Sequence, residues 1–221
     1  MATLYYFYDP MCSWCWGYKP VAAQLFKSLP EDVTLVKVLG GLAPDSDVPM
    51  PAAQQQAVAG YWREISALLG TRFNHDFWTQ CKPRRSTYPA CRAVIAADLQ
   101  STVGAVSAAD AMNDAIQRAY YLRAMNPSNI DTLQALAAEL GLDEQRFSDD
   151  LASAAVEAEL QRQLAFARMA PDRGYPSLAL SREQEGEQGE PGRVLVSVQQ
   201  DYQSAQATLD HLQELRAAPV S

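Results

Sequence analysis

Apolar positions crowd the start of the chain. Leu4-Tyr5-Tyr6-Phe7-Tyr8 is an unbroken apolar run, the pattern of a strand covered on both faces. Beyond it, Val21-Ala22-Ala23-Gln24-Leu25-Phe26 is helix-like and free of Gly and Pro. Pro20 reads as a kink in that helix, which ends by Pro30. Thr34-Leu35-Val36-Lys37-Val38-Leu39 is a second strand, rich in β-branched residues and closed by Gly40-Gly41. Strand, helix and strand within residues 4–39 make a βαβ unit, with a parallel pair as the expected arrangement.

After a Pro- and Asp-rich loop (Ala43–Pro51) the period changes, and from Ala52 to Met169 no strand pattern is found. One helix runs from Ala52 to Leu69 and stops at Gly70. Thr87 or Tyr88 is placed to cap another, with Pro89 at its first position. Ser107-x-x-Asp110 opens a third, with Met112, Ile116, Ala119 and Tyr120 on one face. Asp131 is expected to cap Thr132–Leu140, whose Leu133, Leu136, Ala137 and Leu140 form an apolar stripe ended by Gly141. A final helical stretch extends from Asp143 to about Met169, with a break near Ser153.

Strand character returns in Ser177-Leu178-Ala179-Leu180 and Arg193–Val198. Between them Glu183–Gly192 is acidic and Gly-rich and reads as an exposed hairpin loop. A helix from Asp201 to about Ala217 closes the chain, with Tyr202, Ala205, Leu209 and Leu212 at helical spacing. The order is βαβ, a helical block, then ββα. This predicts an α/β layer in two pieces, residues 1–45 and 171–221, interrupted by an all-helical domain over 46–170.

Composition adds limits. The 221 residues can bury a sizeable core, and a formal charge of −8 argues against nucleic-acid or anionic-membrane partners. Lys82, Arg84 and Arg85 form a local basic group best read as a solvated turn. No apolar run reaches the ~20 residues of a membrane helix, and Met1-Ala2-Thr3 leads into the first strand without a signal-peptide pattern. The expected address is cytoplasmic.

The chemistry sits in Tyr8-Asp9-Pro10-Met11-Cys12-Ser13-Trp14-Cys15-Trp16-Gly17. If the helix begins near Cys12, its sulfur lies by unpaired N–H groups and the positive end of the helix dipole. Both favour the thiolate, the attacking species in disulfide exchange. Cys15, one turn on, can close a disulfide with it. A metal knuckle or plain packing are the competing explanations, but a structural zinc site commonly takes four ligands. Cys81 and Cys91, ten apart with prolines between them, make a poor second pair, and His75 alone does not complete one. Cys81 and Cys91 are read as packing residues, with a regulatory disulfide or a resolving role as alternatives. Trp16, Tyr18, Trp62, Phe77 and Trp78 are read as mostly core, whereas Trp14 should be exposed by its turn. For Asp9 a turn role with Pro10 is favoured over modulation of proton transfer.

Together with this order of elements, three motifs resemble the DsbA family of thioredoxin-fold thiol-disulfide oxidoreductases. They are Asp9–Gly17, Gly174-Tyr175-Pro176-Ser177 and Tyr88-Pro89-Ala90-Cys91-Arg92-Ala93, and the likeness is greatest to the cytoplasmic branch of protein-disulfide-isomerase type with a Cys-Ser-Trp-Cys-Trp-Gly motif. The resemblance implies Cys12 as exposed nucleophile and Cys15 as buried resolving thiol. It also implies a cis Pro176 facing them, with Tyr175 presenting its backbone to an extended substrate and Trp14 beside the same groove. It implies no bound cofactor or metal; the partners would be a disulfide- or thiol-containing protein or small molecule and an external thiol system. Ser13-Trp14 stands where the periplasmic oxidant has a histidine, so a less oxidising couple is expected. Kappa-type glutathione transferases and 2-hydroxychromene-2-carboxylate isomerases are similar in architecture but generally carry serine at the position of Cys12. A non-catalytic metal-binding module is the third alternative.

Overall fold

The computed structural model describes residues 2–102, 107–185 and 191–218. β1 (Ala2–Tyr8), α1 (Ser13–Lys27) and β2 (Val33–Leu39) form the expected βαβ unit. β1 and β2 are parallel, in register from Ala2↔Val33 to Tyr8↔Leu39. Pro20 lies inside α1 without ending it. Seven helices then follow before the next strand: α2 (Ala52–Leu69), α3 (Phe77–Gln80), α4 (Tyr88–Asp98), α5 (Ala108–Leu122), α6 (Ile130–Glu139), α7 (Glu144–Leu151) and α8 (Ala154–Ala167). β3 (Ser177–Glu185), β4 (Pro191–Ser197) and α9 (Ala205–Ala217) complete the chain. The sheet order is β2-β1-β3-β4, with β3 antiparallel to both neighbours.

Four details of the elements differ from the sequence reading. The strands flanking the acidic hairpin are longer than their apolar cores, because Glu183, Gln184 and Glu185 pair with Arg193, Gly192 and Pro191; residues 186–190 of that hairpin lie outside the described residues. Asn129, not Asp131, precedes α6. α9 starts at Ala205, where the Ser204 hydroxyl accepts from the Ala207 amide at 3.2 Å. Asp201 instead turns the preceding loop, its carboxylate accepting from Gln203 and Ser204 amides. Thr87 stands before α4 but makes no capping bond, because its hydroxyl is engaged elsewhere.

The core is built of separate buried clusters. One buried cluster takes in Leu4, Tyr6 and Tyr8 of β1, Tyr18 and Leu25 of α1, Ile95 of α4, Ile116 of α5, Leu160 of α8 and Leu180 of β3. A second cluster is aromatic: Trp62, Phe77, Tyr120 and Tyr121, with Phe73 and Trp78 against them. Trp62 is fully buried and stacks on Phe73 at 5.1 Å between ring centres. Trp16 of α1 reaches this cluster, its ring stacked on Tyr121 at 5.6 Å. The helix carrying the cysteines is thus fixed on one side by the sheet and on the other by aromatic packing, which adds about 0.5–1.5 kcal/mol per pair beyond simple burial. The core reading of Tyr18, Trp62 and Phe77 therefore fits their burial. No helix among the described residues is long and apolar enough to cross a membrane.

Candidate active site

β1 delivers the chain to the site, and a tight turn then reverses it. Asp9 makes that turn: its Oδ1 accepts from the Met11 amide at 2.7 Å, and its carbonyl accepts from the Cys12 amide at 3.0 Å. Cys12 is the N-cap of α1, with extended backbone, and its Sγ accepts from the Cys15 amide at 3.4 Å. The first sulfur therefore lies where the helix presents unpaired N–H groups, the position that favours negative charge.

The two thiols are free but differ in surroundings. Cys15 is 1 % exposed. Its pKa is raised well above the ordinary thiol value, first by burial and then by the neighbouring Cys12 thiol. Cys12 is 5 % exposed, less than the resemblance implied, because the segment before β3 folds over it. The Cys12 thiol donates to the carbonyl of Tyr175 at 3.2 Å, and the Tyr175–Pro176 bond is cis. Beside them runs a groove of about 600 Å³ lined by Trp14, Arg173, Tyr175, Pro176, Val198 and Tyr202, among others. Trp14 is half-buried rather than exposed, since its ring packs edge-on against Tyr202 at 5.4 Å. The groove also has hydrogen-bonding capacity: Gln200 donates to the Pro176 carbonyl while its Oε1 has no partner. Cys12, Cys15, Trp14, Tyr175 and Pro176 are thus brought together from two distant parts of the chain.

Two further residues belong to the site, and their sequence signals had pointed elsewhere. Gly40 read as the close of a strand. In three dimensions a Cβ there would lie 1.9 Å from Tyr175 Cζ, and the Tyr175 hydroxyl donates to the Gly40 carbonyl at 2.9 Å. Glycine is needed so that the tyrosine ring can lie flat on the backbone. Gly40→Ala must push that ring aside and with it the carbonyl that meets Cys12. We expect disulfide exchange to slow by at least tenfold while the thermal midpoint shifts by no more than a few degrees, checked by activity assay and melting on the same preparation.

Asp9 is the second. It is fully buried, and the turn role read from the sequence describes only one of its oxygens. Oδ2 accepts from the Leu42 amide and the Thr87 hydroxyl, both at 2.7 Å, and lies 3.8 Å from Cys91 Sγ. This accounts for the Tyr88–Ala93 motif, which has no derivable chemistry as sequence. α4 packs behind the cysteine turn, with Thr87 and Cys91 facing Asp9, the Tyr88 ring beside Gly41, and Arg92 bridging Asp45 and Glu157. Burial raises the Asp9 pKa despite those hydrogen bonds, which lower it. Cys91 is fully buried, in keeping with a packing role, and burial raises its pKa well above the ordinary value. Cys81 is half-buried and donates to the Ala124 carbonyl at 3.0 Å. Among the described residues no three of His, Cys, Asp and Glu converge in a metal-binding group. Arg84 is not a solvated cation: it donates to Ser128 and Asn129.

A larger cleft, about 720 Å³, lies away from the sulfurs, between β2 and helices α4, α5 and α8.

Comparison with known proteins agrees with this geometry. The family described as Thioredoxin matches residues 5–208. A structure from Nitrosomonas europaea, described as a candidate protein disulfide isomerase, superposes with a TM-score of 0.77 at 23 % identity, covering 98 % of this chain and 99 % of that one. The cytosolic disulfide reductase DsbM of Pseudomonas aeruginosa gives 0.71 at 23 % identity, covering 98 % and 100 %. The ClpXP adapter protein SpxH of Halalkalibacterium halodurans is 25 % identical over 154 residues, 68 % of this chain and 49 % of that protein. The chain thus spans about half the length of that curated relative. With helices α2–α8 set between β2 and β3 of the sheet, and a match over nearly its whole length, the chain belongs to the thioredoxin family and has the DsbA-like form of its fold.

Proposed function

We propose that this protein is a cytoplasmic thiol-disulfide oxidoreductase working in the reductive or isomerising direction. The observation that carries the proposal is the pair of free thiols at the start of α1, with Cys12 Sγ 3.2 Å from the Tyr175 carbonyl beside Pro176. An extended segment of substrate lying in the groove would pair with the Tyr175 backbone and displace the Cys12 thiol from that carbonyl. Cys12, deprotonated, attacks one sulfur of the substrate disulfide; that S–S bond breaks and the distal sulfur leaves as a thiolate. Cys15 then loses its proton and attacks Cys12 Sγ, breaking the mixed disulfide and releasing the second substrate thiol. Two electrons pass to the substrate, and Cys12–Cys15 is left oxidised. An external thiol must reduce it again.

DsbM supports this direction, being named a cytosolic disulfide reductase, and one of its structures is a complex with GSH. Low-molecular-weight thiols and disulfides are accordingly included as partners here. The 2-hydroxychromene-2-carboxylate isomerase and kappa-transferase alternatives do not need the second thiol, which lies one turn from the first here. A protein-binding adapter is favoured only by the SpxH similarity and would need no redox turnover.

The direction is tested by the reduction potential of the Cys12–Cys15 couple, equilibrated against glutathione buffers. We expect a value in the range of about −200 to −270 mV typical of glutaredoxins and thioredoxin. A potential near the roughly −120 mV of the periplasmic oxidant would overturn the reductive assignment. Absence of any exchange with a disulfide substrate would favour the adapter.

A further inference from the structure

A second cavity, of about 380 Å³, lies behind the cysteine pair and shares no lining residue with the groove at Pro176. It is lined by β1, α1, β2 and α5, is open to solvent on one side, and has Cys15 as part of its wall. We propose that it is a binding site for a small, flat, uncharged aromatic molecule carrying a hydroxyl group.

The shape of the ligand follows from the walls. Tyr6 and Tyr8 lie parallel, with ring centres 5.5 Å apart and 10° between planes, and Phe26 meets Tyr6 edge-on at 5.2 Å. Such a surface takes an aromatic face or edge. The volume falls within the range of small-molecule pockets, roughly 300–1,000 Å³, and is several times what one ordered water fills.

Its charge follows from the ion pairs. Of the three lysines that line it, Lys37 pairs with Asp110 at 2.6 Å and Lys19 pairs with Asp114 and donates to Gln117, while Lys27 lies exposed at the end of α1. An anion beside Lys37 or Lys19 would have to break one of these pairs, and a cation would face their ammonium groups. A neutral molecule disturbs neither.

The hydroxyl follows from what lacks a partner. Tyr6 and Tyr8 are 7 % and 5 % exposed, both line the cavity, and neither hydroxyl has a hydrogen-bond partner among the described residues. Asn113, on the α5 side, has a buried carbonyl oxygen with no partner. Leaving such a group unpaired costs about 1–3 kcal/mol. A ligand hydroxyl donates to that oxygen and accepts from a tyrosine, and because it does both it also suits the flipped amide. A carbonyl or an ether could do only half of this. The site is independent of the redox reading, since it uses the walls of the cavity and not the reactivity of Cys12.

The test is calorimetric titration of the whole protein with 2-naphthol, with naphthalene-2-carboxylate as the charged comparison. We expect saturable one-site binding of 2-naphthol and at least tenfold weaker binding of the carboxylate. Ala23, exposed on α1 at the cavity mouth, is replaced by tryptophan to fill it. Ala23→Trp should weaken 2-naphthol binding by at least tenfold while leaving disulfide exchange unchanged. Asn113→Leu should weaken it by fivefold or more, and it stands as the second variant should Ala23→Trp fail to fold. No saturable binding, meaning a cavity that holds water alone, overturns the proposal. So does undiminished binding in Ala23→Trp, which would place the molecule on Trp14 and Tyr202 instead, or unchanged binding in Asn113→Leu.

Discussion

Cys12→Ser is expected to reduce disulfide exchange to background, while Cys15→Ser leaves a protein that reacts once and stalls. The difference follows from the two positions. Cys12 is the N-cap sulfur that meets the Tyr175 carbonyl beside the groove. A serine hydroxyl there, though nearly isosteric, ionises far too weakly to attack a disulfide and cannot form a mixed disulfide at all. Cys15 is sealed beneath it, with burial holding its thiol protonated. Its task begins only once Cys12 is joined to substrate. Without it the mixed disulfide has no internal nucleophile and must wait for an external thiol. The check is non-reducing electrophoresis and mass spectrometry after incubation with a disulfide substrate. Cys15→Ser should accumulate a Cys12-linked adduct, and Cys12→Ser and the double variant should not. Unimpaired turnover in Cys15→Ser would exclude the resolving role and favour the glutathione-dependent alternative.

Asp9→Ala should cost about 2–5 kcal/mol of stability, because it strands the Met11 and Leu42 amides, each worth about 1–3 kcal/mol when a buried donor loses its partner. Both bonds are 2.7 Å, and the same carboxylate holds the Thr87 hydroxyl, so the loss also loosens α4 behind the cysteine turn. Asp9→Asn separates charge from shape. Burial raises the folded-state pKa of Asp9 above its unfolded value. The unfolded chain therefore releases this proton first as pH rises. Below the ordinary aspartate pKa, about 4, both states are protonated and the contribution to stability is complete. It is lost as pH rises through the folded-state value, since in that window the unfolded state binds fewer protons. The wild type should thus gain stability on acidification towards that value relative to Asp9→Asn, measured as the difference between their urea midpoints across pH. Parallel pH profiles for the two proteins would show that folding leaves the Asp9 pKa unshifted.

The local pattern was enough to give the strands and the long helices, the parallel β1–β2 pair and the place of Cys12 and Cys15 at the start of α1. A continuous apolar run has no stable place but a covered strand, and two cysteines at the start of a helix have few uses besides exchange or metal. The helix start expected at Asp201 failed locally, because its carboxylate holds the Gln203 and Ser204 amides; the cap expected of Thr87 failed because its hydroxyl found a partner outside its own segment. Thr87 looked like a cap and instead bonds to Asp9, 78 positions earlier. Gly40 looked like a strand end and is the floor under Tyr175, 135 positions later.

By itself, then, the sequence determined which long segments are helix and which are strand, and that two cysteines lie one turn apart at the start of a helix, because these depend on periodicity and on spacing within one turn of chain. Only the tertiary structure decided that Tyr175 covers Cys12, that Asp9 ties the cysteine turn to α4, and that Tyr6, Tyr8 and Asn113 share a cavity behind Cys15. Those are contacts between residues far apart in the chain. They are set by how α1 and the helices packed around it bury their faces against the sheet, which no local pattern records.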